Sequence, residues 1–177
     1  MAQKPVAQQS GSSTRSVLAW ILIAIGAIMI IVGFVAWIMV GAQLKSQNMT
    51  VPGDADSNAG KVVAGPFTAW SMQEIIQVHA DHATEGASYA ELGDKVNEAK
   101  EQYGDDSEEA AELQAMRNTQ MNASFLRASL LTSVIASGVS LLAIGTGAVS
   151  VLAGAAFLAR RPQVVVNADV TADAEIA

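Results

Sequence analysis

The chain has 177 residues, of which 51% are hydrophobic and only 15% are charged, and its formal net charge is −7. This balance is unusual for a soluble domain, and the negative charge disfavours nucleic acid as a partner. Because the sequence contains no cysteine, it can form neither a disulfide framework nor a zinc–thiolate site, and it has no thiol nucleophile.

Two long apolar runs, residues 17–44 and 128–158, contain no charged side chain. Each exceeds the roughly 20 residues that a helix needs to cross a bilayer core. We therefore expect an all-α membrane protein, in which two transmembrane helices form a helical hairpin with a small, mostly helical extracytoplasmic domain between them. A cleaved signal peptide is the alternative for the first run, but the apolar part of such a peptide has only about 7–15 residues.

The positions of lysine and arginine predict the orientation, since short cytoplasmic segments collect positive charge. Lys4 and Arg15 precede the first run, and Arg160 and Arg161 end the second, whereas Lys45 argues mildly for the opposite orientation. We expect both termini in the cytoplasm. The predicted parts are a cytoplasmic N-terminal segment (1–16), transmembrane helix 1 (17–44), an extracytoplasmic helical domain (45–124), transmembrane helix 2 (125–159) and a disordered cytoplasmic tail (160–177).

The residues between the runs, which we call the central domain (45–124), begin irregularly. Glycine and proline are frequent in residues 48–66, and two short β-branched patches at 50–51 and 62–63 are compatible with a loop or a small hairpin. A capping-box pattern from Ser71 to Glu74 predicts the start of a first helix, which Gly86 would end.

Two further helices are predicted in the central domain. Ser88 and Glu91 form a second capping-box pattern, which would open a helix that continues to about Gln102. Asp105 and the acidic residue after it would start a third helix, because negative charge is favourable at a helix N-terminus. No breaker follows, so we expect this helix to continue into the second apolar run.

Small residues recur at heptad spacing in the second run and form a candidate helix–helix interface. In lipid, small side chains let two helix backbones approach closely. The positions are Ser129, Ser133, Ala136, Ser140, Ala143, Gly147, Ser150 and Gly154, and the first run offers Ala19, Gly26, Gly33 and Ala36. We call the set of Gly26, Gly33, Ser133, Ser140, Gly147 and Gly154 the small-residue seam. The pattern leaves open whether it joins the two helices of one chain or different chains.

The only two histidines, His79 and His82, lie one helical turn apart, and Glu85 lies one turn beyond. Two imidazoles and a carboxylate on one helix face could bind a divalent metal, so these residues are metal-site candidates. The alternative is a solvated polar stripe. Neither histidine has the neighbours of a general base, and no serine or threonine is marked as a nucleophile, so we predict no catalytic residue and no cofactor.

Four stretches resemble a family of small actinobacterial two-span membrane proteins that are often catalogued as aromatic ring-opening dioxygenases. The resemblance covers most of the chain from the first run through the second and is most specific at 121–130, MNASFLRASL. The other stretches are 65–70, the helix around 75–79, and 88–92. The resemblance implies a two-span bacterial envelope protein. The acidic stretch at 98–112 departs from the family pattern.

We predict a non-enzymatic integral membrane protein of the bacterial envelope that acts through helix–helix assembly and its acidic central domain, which has fourteen acidic and five basic residues. Its expected partners are the lipid bilayer and, through the small-residue helix faces, itself or another membrane protein. One alternative is a metal-dependent aromatic ring-opening dioxygenase, whose iron would need two histidines and a carboxylate held rigidly beside a substrate pocket. The other alternative is an accessory subunit of a transporter.

Overall fold

A computed structural model describes residues 10–159, and the side chains of 14–159. These residues form four α-helices: α1 (Ser10–Ser46), α2 (Pro66–Ala83), α3 (Tyr89–Tyr103) and α4 (Glu108–Ala159). The all-α prediction is confirmed for this part of the chain. The predicted tail, with Arg160 and Arg161, lies outside the described residues, as does Lys4.

α1 and α4 are long and apolar enough to cross a membrane. The qualifying segments are Thr14–Ser46 and Glu108–Ala159, and only 11% of the most apolar window of each is buried within the protein. α4 has 52 residues and continues without interruption from the central domain into the second apolar run, as the sequence predicted.

The chain divides into two compact units, and α1 and α4 contribute to both. In the first unit, α1 through Ile30 packs against α4 from Gly145 onwards. Ala19 lies beside Gly154, and Gly26 lies beside Gly147, so the two segments run antiparallel. At one end of this unit the Arg15 guanidinium donates two hydrogen bonds, of 2.8 and 3.1 Å, to the Phe157 carbonyl.

The second unit, residues 31–144, contains the remaining parts of α1 and α4 together with α2 and α3. Its core is a cluster of five buried residues from α1, the loop, α2 and α4: Leu44, Val51, Val63, Ala69 and Leu130. The loop at 47–65 is fixed by backbone hydrogen bonds of 2.9 Å from Val51 to Lys61 and from Val63 to Met49. A single antiparallel bridge joins Thr50 and Val62, as expected for a small hairpin.

The predicted start of the first central-domain helix at Ser71 is wrong, because α2 begins five residues earlier at Pro66. Proline suits the first helical position, since its fixed φ is already helical and it lacks an N–H that would need a partner. Thr68 Oγ1 completes the start by accepting the N–H groups of Ala64 and Gly65 at 3.0 and 3.2 Å. Ser71 is buried inside the helix, and its hydroxyl accepts a 2.9 Å hydrogen bond from the Asn58 amide.

The predicted boundaries of the other helices are closer to the structure. Ser88 Oγ accepts the Glu91 N–H at 3.3 Å, and the Glu91 carboxylate accepts the Ser88 N–H at 2.8 Å, so the predicted capping box is confirmed. α3 then ends before Gly104, whose φ of +99° favours glycine. α4 begins at Glu108 rather than Asp105, because Ser107 Oγ accepts the Ala110 N–H and serves as the cap.

Candidate functional site

In the first unit, glycines of the small-residue seam bring the backbones of α1 and α4 into direct contact. A methyl group on Gly26 would lie 2.6 Å from the Gly147 carbonyl oxygen, and one on Gly147 would lie 2.6 Å from the Gly26 carbonyl oxygen. A methyl group on Gly154 would lie 2.7 Å from the Ala19 carbonyl oxygen. Since real Cβ atoms do not approach so closely, only glycine fits at these three positions without a shift of the backbone.

The second unit repeats this arrangement at Gly33. A methyl group there would lie 2.7 Å from Ile144 Cγ1 and 2.9 Å from the Ser140 carbonyl oxygen. Ser140 is buried and Ser133 is half-buried, but their hydroxyls donate to carbonyls of α4 itself, at Ala136 and Ser129. These hydroxyls therefore form hydrogen bonds within α4, and what Ser140 offers to the contact with α1 is its small size.

The contact face of α4 differs in part from the heptad positions chosen in the sequence. Ser129 is exposed, whereas Ser137, which the pattern left out, is buried. Ile144 and Val151 also contact α1, beside Gly33 and Gly26. Selecting small residues alone missed them. A signal that could have found them is the alternation of four- and three-residue steps through both small and large residues, at 133, 137, 140, 144, 147, 151 and 154.

These contacts bear on whether the small-residue seam joins the two helices of one chain or helices of different chains. Every close approach described for the small-residue seam joins α1 and α4 of the same chain. The glycine faces are therefore covered within the molecule. By contrast, Gly138 and Gly145 of α4 have no atom within 4 Å of the position that a Cβ would take.

The metal-site candidates do not share one helix face, and that part of the sequence prediction is wrong. α2 ends at Ala83, and the Gly86 N–H donates to the Asp81 carbonyl at 2.8 Å, which closes the helix end. Glu85 adopts a left-handed φ of +53° in this turn, beyond the helix that carries His79 and His82. Among the residues whose side chains are described, no three His, Asp or Glu groups are placed to hold a metal ion.

His79 instead pairs with a carboxylate from the loop. Its Nε2 lies 2.7 Å from Asp54 Oδ2, and both side chains are substantially exposed. The hydrogen bond from His79 is the main cause that holds the pKa of Asp54 below its usual value, and a hydrogen bond from the Asp54 backbone adds to it. Because 25 residues separate the partners in the sequence, no local pattern could have predicted this pair.

A chain of polar side chains ties the start of the second apolar run to α2. Arg127 donates to the side-chain oxygens of Gln77 and, at 3.3 Å, of Gln73. The Gln77 amide donates in turn to Asp81 at 2.5 Å. Gln73 is buried. Since a buried polar group must be hydrogen-bonded to avoid a large cost, these contacts fix how α2 packs on α4 in the second unit.

Two concave surfaces flank α2. A groove of about 390 Å³ between α2 and α4 is lined by Ile76, His79, Ala80, Ala83, Thr119, Asn122, Ala123 and Leu126. A smaller cavity of about 190 Å³ lies between the loop at 54–57 and α2. Neither brings together the two histidines and the carboxylate that an iron-dependent ring-opening reaction would use.

The chain was compared with models of known protein families, with curated proteins and with solved structures, and nothing matches it. The family resemblance of the sequence therefore stays a prediction.

Proposed function

We propose that this chain is a non-enzymatic integral membrane protein of the bacterial envelope, which uses α1 and α4 to span the bilayer. One observation carries the proposal. Of the 28 large hydrophobic side chains that are exposed in the described part of the chain, 22 lie on α1 and α4. Large contiguous apolar surfaces are rare on soluble monomers.

The free energy of these exposed side chains favours lipid over water. Each Å² of apolar surface left in water forgoes about 25 cal/mol relative to an apolar surrounding. In a bilayer the same side chains of α1 and α4 are already in an apolar solvent. The backbone polar groups are then satisfied inside each helix, which is the condition for crossing hydrocarbon.

The orientation follows from the basic residues at the ends of the apolar runs. A cytoplasmic location for both termini is favoured by four basic residues, Lys4, Arg15, Arg160 and Arg161. This orientation would leave the central domain outside the cytoplasm. The hydrogen bonds from Arg15 to the Phe157 carbonyl join the start of α1 to the end of α4, an arrangement that suits two termini on the same side of a bilayer.

We propose that the central domain supplies the surface for assembly with a second copy or with another membrane protein. The small-residue seam already joins α1 to α4, so its close-approach positions are occupied within the chain. The central domain instead presents a strongly acidic surface. The acidic side chains of α3 and of the turn after it, from Asp94 to Asp106, are all exposed.

Purification in mild detergent followed by mass spectrometry tests this assembly role. A stoichiometric partner, or a differently tagged second copy, should be recovered with the wild-type chain. Neutralising three exposed acidic residues of α3 should weaken the recovery of a different membrane protein that offers a basic surface, because the charges that attract it would be gone; the variant is D94N/E98Q/E101Q. It should not weaken the recovery of a second copy, whose acidic surface repels this one. The matched control, D169N/D173N/E175Q, makes the same charge change in the tail. Equal loss from both variants, or no partner with the wild type, would contradict the role.

The dioxygenase alternative predicts that the two histidines hold a metal ion, whereas the non-enzymatic proposal predicts that they do not. Replacing His79 and His82 with alanine should leave the metal content at background. The change at His82 should alter the free energy of unfolding by under about 0.5 kcal/mol, as at an ordinary surface position, and the change at His79 should cost more because it removes the exposed pair with Asp54. Elemental analysis of the purified wild type and double variant measures the first quantity. Stoichiometric iron or zinc in the wild type that disappears in the variant would favour the oxygenase instead.

A further inference from the structure

Large apolar side chains at the N-terminal end of α2 are exposed outside the two long helices. Phe67 is 79% exposed, and Val62 and Trp70 are each 48% exposed. Phe67 and Trp70 lie three residues apart, so they occupy neighbouring positions on one side of α2. Scattered exposed apolar residues are ordinary on any protein, so the meaning of these depends on where they lie.

Contacts with α1 place this end of α2 beside the first apolar run. A methyl group on Gly41 would lie 3.1 Å from the carbonyl oxygen of Ala64, two residues before the helix begins. Val63 shares a buried cluster with Leu44, the last residue of that run, and Val40 packs against the same cluster. The start of α2 is therefore level with the last turns of the apolar part of α1.

Contacts with α4 independently show that the start of α2 lies level with an end of an apolar run. Ala69, in the first turn of α2, belongs to the same buried cluster as Leu130. Farther along α2, Gln73 and Gln77 accept hydrogen bonds from Arg127. Near the end of α2, the groove brings Ala83 to the part of α4 that includes Thr119. The two helices thus run antiparallel, and only the N-terminal end of α2 reaches the level where the second apolar run begins.

The backbone just before α2 has few unpaired donors. Thr68 Oγ1 accepts the N–H groups of both Ala64 and Gly65, and Pro66 has no N–H to satisfy. Unpaired backbone polar groups would make it costly to approach hydrocarbon. The N–H groups of Ala64 and Gly65 are paired in this way. Trp70 is of a residue type that is enriched at membrane interfaces.

We propose that Phe67 and Trp70 insert into the interfacial region of the bilayer leaflet next to the central domain, so that α2 is anchored to the membrane in addition to the two spans. This inference rests on the proposed function, since it requires that α1 and α4 cross a bilayer. Trp70 supplies an amphipathic ring that suits the boundary between headgroups and acyl chains, and Phe67 supplies the deeper apolar contact.

Tryptophan fluorescence in vesicles of brominated phosphatidylcholine tests the anchor in the full-length chain. The variant W20F/W37F leaves Trp70 as the only tryptophan, and W20F/W70F leaves Trp37, within α1, as a reference for the span. We expect Trp70 to be quenched most strongly by bromines near the headgroup end of the acyl chain. Adding F67D should reduce that quenching, whereas Y103D, which changes another exposed aromatic residue at the end of α3, should not.

The reference separates failure of the anchor from failure of the proposed function. If Trp37 is quenched by bromolipid while Trp70 is quenched only by iodide in the water, the spans stand and the anchor is overturned. If neither tryptophan is quenched by bromolipid, both the spans and the anchor are overturned. If Trp70 is shielded from both quenchers, and that shielding is lost when the protein is diluted with excess lipid, the surface belongs to a second copy and the anchor is again overturned.

Discussion

Several polar side chains in the central domain act on the ends of helices. Ser88 and Glu91 satisfy each other's backbone N–H groups at the start of α3. At the start of α2, Thr68 Oγ1 accepts the N–H groups of Ala64 and Gly65, the two residues before the helix. Among the described residues, no side chain ahead of this helix serves as a cap. Because these side chains pair helix-end donors that would otherwise depend on water, each should contribute measurably to stability.

The capping box of α3 makes the stability depend on pH. The hydrogen bonds from the Ser88 backbone and side chain hold the pKa of Glu91 below its ordinary value of 4.5. A carboxyl whose pKa is lower in the folded state stabilises that state above the unfolded-state pKa and loses this effect as the pH falls through the folded-state value. The contribution of Glu91 should therefore be full at neutral pH, should begin to decline near pH 4.5, and should be lost once the pH lies below the lowered pKa of the folded state.

Denaturation of the full chain in detergent at several pH values tests this prediction. S88A should lower the free energy of unfolding by about 1 kcal/mol at pH 7, the usual effect of losing such a cap. E91Q is the matched control, since glutamine keeps the capping-box geometry but does not titrate. The difference between wild type and E91Q should shrink as the pH falls below 4.5. A difference that stays constant with pH would contradict the assignment.

Among the elements, the pairing of α1 with α4 depends on positions where no side chain fits. Gly26 and Gly147 each face the other's carbonyl oxygen, and Gly154 faces that of Ala19. Close approach lets dispersion and weak Cα–H···O contacts act along the helices, which matters in lipid because hydrophobic burial no longer drives helices together.

Replacing Gly147 with leucine should destabilise this helix pair by roughly 1–3 kcal/mol, the usual cost of overpacking. Gly145 provides a matched control two residues away on the same helix, because nothing lies within 4 Å of the position its Cβ would take. G145L should leave the thermal stability in detergent nearly unchanged, and so should L142A, which alters an exposed side chain. If G147L unfolded at the wild-type temperature, the close contacts would have no energetic role.

The elements also show which parts of the structure the sequence could predict. The helical fold class, the capping box at Ser88 and the continuity of α4 follow from local patterns of apolar, capping and breaking residues. The start of α2 does not, because Pro66 and Ser71 both carry start signals, and the tertiary contact of Ser71 with the loop decides between them. The pairing of His79 with Asp54 depends on the course of that loop, which no helical spacing encodes.

The whole molecule combines two apolar helices with an acidic, mostly helical central domain, which we propose to lie on one side of a bilayer. The acidic residues outnumber the basic ones there by fourteen to five, whereas basic residues precede the first run and end the second. The basic residues at the outer ends of the two runs, above all Arg160 and Arg161, are the reason for our proposal that both termini lie on one side of the membrane and the central domain on the other.

The most direct test of this claim is labelling of single cysteines with an impermeant maleimide, because the natural chain has no cysteine to interfere. Ala59 and Gln102 are exposed positions in the central domain, and Gln8 and Gln163 lie near the two termini. We predict that A59C and Q102C react in intact cells, whereas Q8C and Q163C react only after lysis. Reaction of all four variants in intact cells, of none before lysis, or of the terminal pair alone would contradict the account.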